Sequence, residues 1–301
     1  MDQKVTTIID AAACIGCGLC VAVCPSGTIT MRNDKAEVTG SRSLACGHCE
    51  AVCPVGAIRV EALADRIDFN TFAAEEDWLA PGDFPVASLV RLMRSRRSCR
   101  NYTGKEPDRD LLEDLIKIGT TAPSGTNSQK WTFTVLASRS EVAMAGNCIA
   151  GYFKRLNRMA ANPVLRLWSK LFGNDELGSY YRRYYRMMED GLADWEQKGT
   201  DRLFHGATAA ILVGSAPGAS CPVEDALLAS QNILLAAHAM GLGTCLIGFA
   251  VAAIKHDPAI KSKLAIPRSE DIHAVIALGY PAEKYEKVAG RKQAVVRYPF
   301  S

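Results

Sequence analysis

The sequence predicts an α+β protein in which a small cysteine-rich domain precedes a larger domain of layered helices and strands. Seven of the 11 cysteines fall between Cys14 and Cys53, a clustering typical of metal ligation. From Val86 onward, amphipathic helical patterns alternate with short apolar runs, as in layered α/β and α+β domains. Residues 63–87 contain an acidic stretch, a Pro-Gly pair and no strong periodicity, so they predict a linker.

The composition excludes several classes of protein. With 301 residues, 48% of them apolar and 22% charged, the chain can bury a large core and is not of the disordered class. Its net charge of +3 is too small a basic excess to favour a nucleic-acid partner. The first residues include Asp2 and Lys4 and lack an apolar segment, so we predict no signal peptide. Because the cysteines are clustered rather than spread as disulfide pairs, we expect the reducing cytoplasm.

One apolar stretch, residues 233–254, is long enough to cross a bilayer. Three glycines interrupt it, and His238 lies inside it. We therefore interpret the stretch as a buried helix followed by a turn and a buried strand, and we expect no membrane partner.

Periodicity predicts the main elements of the larger domain. Helices are predicted over 86–96, 108–119 and 224–240, and strands over Trp131–Leu136, 209–213, 244–247 and 273–278. A basic and aromatic segment at about 150–200 predicts a helical insertion. Two interpretations of this insertion stay open: a cover over a substrate pocket, or a surface helical pair whose aromatic stripe packs on the core. The resulting domain boundaries are 1–62 for the small domain, 63–87 for the linker and 88–301 for the large domain.

The first cysteine run has a specific spacing. Cys14, Cys17, Cys20 and Cys24-Pro25 match the bacterial ferredoxin run C-x₂-C-x₂-C-x₃-C-P. In that run, three cysteines in a tight loop bind one cluster, and the fourth binds the other cluster. The spacing therefore predicts two iron–sulfur clusters rather than zinc or structural thiols.

The second cysteine run repeats the first at a constant offset. Its members Cys46, Cys49 and Cys53 each lie 29 residues after a cysteine of the first run, and the position equivalent to Cys14 is Ser43. The duplication predicts two crossed ligand sets. The first set is complete and consists of Cys14, Cys17, Cys20 and Cys53. The second set lacks one thiolate and consists of Cys24, Cys46 and Cys49.

Three outcomes stay open for the second set. It holds a three-iron cluster, or it holds a [4Fe-4S] cluster whose fourth iron is bound by Ser43 or another non-cysteine group such as His48. In the third outcome the site is partly or wholly empty in aerobic preparations. We favour an iron–sulfur cluster there because three well-spaced cysteines are present together.

Three polar segments of the larger domain predict a bound phosphorylated cofactor. A basic motif follows the first predicted helix, and it consists of Arg96, Arg97, Ser98 and Arg100. Guanidinium groups pair with phosphate oxygens while a hydroxyl donates a further hydrogen bond, so this motif is a candidate dianion site. Residues 122–131 offer short polar groups just before a strand, and Arg291 begins a basic pair near the C-terminus.

These motifs resemble those of the nitroreductase family of FMN enzymes, from about residue 89 to the end. The arginine–serine motif looks like the family's phosphate-binding segment, and residues 123–129 look like its second signature, which meets the flavin. Residues 231–249 look like its core helix and the strand end that faces the flavin ring. The residues that the resemblance assigns to FMN are Arg96, Arg97, Ser98, Arg100, Ser124, Gly125, Thr126, Asn127, Gln129, Ile247, Gly248 and Arg291.

The whole chain resembles the ferredoxin-fused branch of that family. The resemblance implies a bacterial-ferredoxin-like domain followed by a nitroreductase-like three-layer α/β/α domain. It also implies an intertwined homodimer with FMN at the subunit interface. Lys130 stands where proline is common, and Ile247 stands where some relatives carry an acidic residue. The family's usual nicotinamide and substrate contacts are therefore not carried over at these two positions.

The predicted function is that of an FMN- and iron–sulfur-dependent oxidoreductase. A low-potential donor such as a free ferredoxin reduces the clusters, and the flavin passes the electrons to a small organic acceptor of the nitro, quinone or enone class. Two alternatives stay open: NAD(P)H reduces the flavin and electrons leave through the clusters, or the chain is a redox sensor or electron carrier without turnover. No acid–base side chain is assigned, and Cys99 and Cys245 are interpreted as small packing residues.

Overall fold

The computed structural model describes residues 3–63, 67–75 and 77–300. Within these residues, the N-terminal domain contains two antiparallel strand pairs and two one-turn helices. The strand pairs are β1 (Thr7–Ile9) with β4 (Ile58–Val60), and β2 (Ile29–Arg32) with β3 (Lys35–Val38). The helices are α1 (Leu19–Ala22) and α2 (His48–Ala51).

The core of the N-terminal domain is formed largely by cysteines and small apolar side chains. Cys14, Cys20 and Cys49 are each 9% exposed or less, and they cluster with Ile29 and Val60. A domain of this size buries little apolar surface, and such domains commonly depend on a bound metal for stability. The thiols therefore belong to the structural centre of the domain.

A four-stranded antiparallel sheet forms the centre of the larger domain, with the strand order β5-β6-β8-β7. Its strands are β5 (Trp131–Leu136), β6 (Ala209–Ser215), β7 (Gly243–Leu246) and β8 (Asp271–Gly279). The four predicted strands are confirmed, with different ends. Strand β6 runs beyond residue 213 because Gly214 and Ser215 pair with Thr132 and Trp131 of β5. All seven residues of β6 are buried, which explains why its sequence is a continuous apolar run.

Helices cover both faces of the sheet and complete a three-layer α/β/α domain, as predicted. The layer helices are α4 (Arg109–Gly119), α9 (Pro222–Ala239), α5 (Arg139–Ala161) and α10 (Gly248–His256), and two further helices are α3 (Val86–Ser95) and α11 (Pro258–Lys263). Ile211 and Val213 of β6 cluster with residues of α4 and α9, whereas Ala210 and Leu212 cluster with residues of α5 and α10. Alternate residues of β6 thus pack into the hydrophobic cores on opposite faces of the sheet. The three predicted helices are confirmed as α3, α4 and α9.

The predicted insertion is a run of four helices. After α5 come α6 (Pro163–Phe172), α7 (Glu176–Arg183) and α8 (Tyr185–Lys198). The segment at 150–200 is helical, and its first part belongs to α5, a single helix of 23 residues that starts at Arg139 with a capping box of Ser138 and Glu141. Tyr180 packs against the core, where its hydroxyl donates to Asn157 Oδ1 at 2.6 Å. One tyrosine of the aromatic stripe therefore packs on the core, whereas Tyr181 and Tyr184 are 39% and 40% exposed.

The predicted linker is attached to the larger domain. Residues 64–66 and Glu76 lie outside the described residues, as does Asp2. The carboxylate of Asp114 on α4 is fully buried, and it accepts bonds from Asn70 N and Thr71 N at 2.8 Å each. Burial raises the pKa of Asp114, but the hydrogen bonds outweigh it and hold the pKa below its usual value.

Among the described residues, no helix combines the length and the apolar character needed to cross a membrane. The apolar stretch at 233–254 completes α9, turns, forms β7 and enters α10. The interpretation of this stretch as a buried helix, a turn and a buried strand is confirmed.

Candidate iron–sulfur and flavin sites

The first predicted cysteine set lines one cavity. Cys14, Cys17 and Cys20 lie around the loop that leads into α1, and Cys53 reaches the same cavity from the second run. The crossing of one cysteine between the runs is the ligand pattern of two-cluster ferredoxins. The first set therefore has four thiols at one place.

The second predicted set lines another cavity in the same domain. Cys24, Cys46 and Cys49 border it, and so do Ser43 and His48. Cys49 is buried, Cys46 is half-buried, and His48 is exposed. The set therefore has three thiols and one buried hydroxyl.

The environment of the thiols fits iron–sulfur clusters. Hydrogen bonds from the backbone of Ala36 and Gly16 lower the pKa of Cys14, and the thiolate is the form that binds iron. Burial raises the pKa of Cys49, so this thiol would lose its proton on binding iron rather than beforehand. Across the described part of the chain, no three His, Cys, Asp or Glu side chains converge on a single-ion position; the thiols instead line two cavities.

The predicted phosphate-binding residues come together in the folded chain. A cavity of about 330 Å³ is lined by Arg96, Arg97, Ser98, Arg100, Arg291 and Tyr285. Arg291 lies far from the others in sequence, so the fold itself assembles this group. The lining holds four guanidinium groups and two hydroxyls, which is a suitable set of donors for a phosphate dianion. Tyr285 was missed by the sequence analysis, because no local motif surrounds it.

The strand β7 positions the arginine motif. Cys99 N donates to Thr244 O at 2.9 Å, and Ser98 forms a parallel bridge with Thr244. Tyr102 then closes the segment, since its hydroxyl donates to Cys99 O at 3.0 Å. Burial raises the pKa of Cys99 and of Cys245. Both thiols are therefore held in the unreactive protonated form, in keeping with their interpretation as packing residues.

The second signature is a partly buried turn held by one buried carboxylate. Asp225 on α9 is 4% exposed, and it accepts bonds from Gly125 N at 2.8 Å and Ser128 Oγ at 3.4 Å. The turn also contains left-handed residues, with φ of 51° at Thr126 and 52° at Asn127. Such values are costly for most side chains, so Asp225 and the neighbouring contacts fix this turn in one conformation.

Asn127 joins this turn to the iron–sulfur domain. Its Nδ2 donates to Ala45 O at 2.8 Å and to Leu44 O at 3.4 Å. In return, Gln3 Nε2 donates to Asn127 O at 2.8 Å and to Leu44 O at 3.1 Å. Leu44 and Ala45 stand between Ser43 and Cys46, so the turn contacts the loop of the second cysteine set.

The predicted flavin residues fall into two groups within one chain. The lining of the arginine cavity includes no residue of 124–129. Ile247 is 5% exposed and packs in the core beneath α10. Its N–H donates to Val275 O at 2.8 Å and its carbonyl oxygen accepts from Ala250 N at 3.2 Å, so the side chain and the N–H of Ile247 are both engaged within the chain. Gly248 begins α10, and nothing within 4 Å crowds the position of a Cβ atom there. The assignment of these residues to FMN stays a prediction.

An apolar cavity lies beside the predicted flavin-facing strand end. It has a volume of about 410 Å³, and its lining includes Phe153 on α5, Met188 and Trp195 on α8, and Phe249 on α10. Volumes of this size are usual for small-molecule sites. Its polar rim includes His205, whose pKa is lowered by burial and by Arg100. Helices of the predicted insertion thus line a pocket as well as pack on the core.

Comparisons with known proteins match both halves of the chain. The nitroreductase family model matches residues 93–280, and the 4Fe-4S dicluster domain model matches residues 13–58. A 4-nitrobenzoate reductase of Nocardioides sp. is 28% identical over 207 residues, which cover 65% of this chain and 81% of that protein. A putative NADH dehydrogenase/NAD(P)H nitroreductase of Archaeoglobus fulgidus is 24% identical over 204 residues, covering 66% and 88%. The fold is similar to that of a BluB-like flavoprotein of Clostridium difficile, with a TM-score of 0.50, 15% identity and coverage of 69% and 99%.

Proposed function

This chain belongs to the nitroreductase family and is an FMN- and iron–sulfur-dependent oxidoreductase, and from that premise we propose that it carries electrons inward, from its clusters to its flavin. The final acceptor is a small organic compound. The donor is a low-potential electron carrier such as a free ferredoxin. The clusters supply one-electron steps, and the flavin supplies hydride or single-electron transfer to the acceptor.

One observation carries the proposal: the flavin turn and the loop of the second cysteine set are hydrogen-bonded to each other. Three bonds link Asn127 with the iron–sulfur domain: Gln3 Nε2 donates to Asn127 O, and Asn127 Nδ2 donates to Leu44 O and Ala45 O. A fixed contact between the two domains is not required of an electron carrier that has no turnover of its own, so the contact favours the enzyme. We therefore propose that electrons enter at the cluster of the first set and pass to the flavin from the cluster of the second set.

The chain's own residues account for the binding of the flavin phosphate. Arg96, Arg97, Ser98, Arg100 and Arg291 supply charge-assisted hydrogen bonds around one cavity. The turn at 124–129 lies outside that cavity. We therefore propose a homodimer in which each flavin lies at the subunit interface and takes contacts from both chains.

The apolar cavity indicates the class of acceptor. Aromatic and sulfur side chains line it, and these favour flat aromatic compounds. Similar proteins are named for 4-nitrobenzoate and iodotyrosine, both of which are aromatic. The proposed acceptors are accordingly nitroaromatic or quinone-like compounds, reduced in the cytoplasm.

The direction of flow can be tested with the full chain purified anaerobically. Iron, sulfide and FMN are quantified, and flavin bleaching is followed after mixing with reduced ferredoxin or with NAD(P)H. The Cys49→Ala variant removes a ligand of the second set, and Cys148→Ala is the matched control on α5, outside both cysteine cavities. We expect Cys49→Ala to keep FMN but to lose ferredoxin-driven bleaching, while Cys148→Ala behaves as the wild type.

Two results would contradict the proposal. If the purified chain binds no FMN, it is not the proposed enzyme. If NAD(P)H alone bleaches the flavin rapidly, and equally in Cys49→Ala, then electrons enter at the flavin and leave through the clusters.

A further inference from the structure

The internal duplication of the iron–sulfur domain holds in three dimensions. Gly18 and Gly47, 29 residues apart, have φ of 75° and 74° and each precedes a one-turn helix. The crossed cysteines also match, because Cys24 Sγ and Cys53 Sγ each accept a backbone N–H bond at 3.3 Å from the residue four positions later. Each half of the domain therefore predicts where a ligand atom stands in the other half.

Ser43 occupies the place in the second half that Cys14 occupies in the first. Backbone hydrogen bonds from Ala36 and from Gly16, two residues later, lower the pKa of the Cys14 thiol. Ser43 Oγ accepts the same bond from Ala45 N at 2.9 Å. Cys14 is 9% exposed and Ser43 is 7% exposed. The hydroxyl oxygen of Ser43 is therefore held as the ligating sulfur of Cys14 is held.

The backbone at Ala45 adopts a left-handed conformation that is unfavourable for alanine but keeps the hydrogen bond to Ser43. Gly16 has φ of 73°, a value that glycine adopts freely, and Ala45 has φ of 47°. Left-handed values are uncommon for alanine because its Cβ crowds the backbone. Strain of this kind is kept where the surrounding structure needs the geometry, and here the geometry aims Ala45 N at Ser43 Oγ.

The remaining candidate for a fourth ligand is less well placed. His48 borders the same cavity as Ser43 but is exposed, whereas Ser43 is buried beside Cys24, Cys46 and Cys49. By the 29-residue offset, His48 corresponds to Leu19, which belongs to no ligand set, whereas Ser43 corresponds to Cys14. The duplication therefore favours Ser43 over His48 as the fourth donor.

We propose that Ser43 Oγ is the fourth protein ligand of the second cluster, which is a [4Fe-4S] cluster with three thiolates and one serine alkoxide. On ligation the hydroxyl exchanges its O–H bond for an O–Fe bond, and the proton passes to solvent. The proposal rests on the binding of clusters by the cysteine sets and not on the direction of electron flow. It can therefore fail while the proposed function stands, and the reverse is also true.

Iron counting and Mössbauer spectroscopy of anaerobically purified full-length protein test the proposal. We expect about eight irons per chain in the wild type, as for two four-iron clusters. One iron of the second cluster should have parameters distinct from thiolate-bound iron. In Ser43→Cys that distinct iron should disappear while the iron count stays the same. Ser41→Ala, an exposed serine of the same segment, is the matched control and should equal the wild type.

The Ser43→Ala variant gives the complementary result. Without the oxygen ligand, the second cluster should lose about one iron per chain on mild oxidation and show the electron paramagnetic resonance signal of a three-iron cluster. The proposal is overturned if wild-type protein already contains a three-iron cluster under anaerobic conditions. It is equally overturned if Ser43→Ala retains the wild-type iron count and spectrum, because the fourth ligand is then solvent or another group. If Ser43→Ala fails to fold, the Mössbauer spectra of the wild type and of Ser43→Cys still test the proposal. The proposal is then overturned if the wild type shows no distinct iron or if that iron persists in Ser43→Cys.

Discussion

Exchange of Asn127 for aspartate tests the junction between the iron–sulfur domain and the turn at 124–129, which is predicted to contact the flavin. The change keeps the shape of the side chain and its tolerance of the left-handed backbone, since φ is 52° at this position. It removes the Nδ2 donor that meets Ala45 O at 2.8 Å and Leu44 O at 3.4 Å. It also places a negative charge beside two carbonyl oxygens.

The size of the effect follows from these contacts. Loss of a hydrogen bond costs about 0.5–1.5 kcal/mol, so the short bond and the long contact together contribute about 1–2 kcal/mol. Gln3 still donates to the main-chain oxygen of Asn127, so the junction is weakened rather than lost. A change of this size raises the population of the opened junction about 5–30-fold.

Hydrogen–deuterium exchange of peptides covering 41–46 and 123–129 measures this opening, and ferredoxin-driven bleaching of the flavin measures its consequence. Asn174→Asp, an exposed amide in the loop between α6 and α7, is the charge-matched control. The reasoning is refuted if Asn127→Asp exchanges at wild-type rates in both peptides. A double-mutant cycle with Gln3→Ala then shows whether the two side chains act independently.

Three further changes test the rest of the structure. Arg291→Gln should weaken FMN binding about 10-fold or more, because a charge-assisted hydrogen bond contributes about 1.5–3 kcal/mol; ultrafiltration measures released FMN, and Arg94→Gln on the exposed side of α3 should not change it. Asp114→Asn should abolish an acid-dependent loss of stability: the folded-state pKa is lowered, so the stabilisation is present above the unfolded-state pKa of about 3.9 and is lost as pH falls through the folded-state value. Thermal unfolding between neutral and acidic pH checks this, and an unchanged pH profile would contradict it. Leu115→Ala, at a fully buried site on α4, should cost about 2–5 kcal/mol in the free energy of unfolding, whereas Leu79→Ala at an exposed site should cost little.

The grouping of the cysteines around two cavities was predictable from the sequence because their spacing is a local constraint. Three cysteines in one tight loop have a fixed spacing, and the crossed pattern of two-cluster ferredoxins places the fourth cysteine of each run with the other run. The strands were predictable for a similar reason, since β6 is covered on both faces and must be apolar throughout. The spacing of the cysteines and the apolar character of β6 are both requirements on residues that are close together in sequence.

The junction and the full arginine cavity were not predictable, because they depend on residues far apart in sequence. The contact between Asn127 and Ala45 spans 82 residues. No sequence pattern around either residue predicts that the two are in contact. Tyr285 enters the arginine cavity from a segment without regular structure.

The ligand proposed at Ser43 and the proposed direction of flow reinforce each other. An alkoxide is a harder donor than a thiolate, so it stabilises the oxidised form of the cluster and lowers its reduction potential. That cluster's loop is the one hydrogen-bonded to the flavin turn. A low potential at this position favours transfer toward the flavin and opposes transfer away from it. Ser43→Cys should therefore raise the potential of the second cluster and slow ferredoxin-driven bleaching of the flavin while FMN content is unchanged. A faster inward rate in that variant would contradict the argument that a low potential of the second cluster drives electrons toward the flavin.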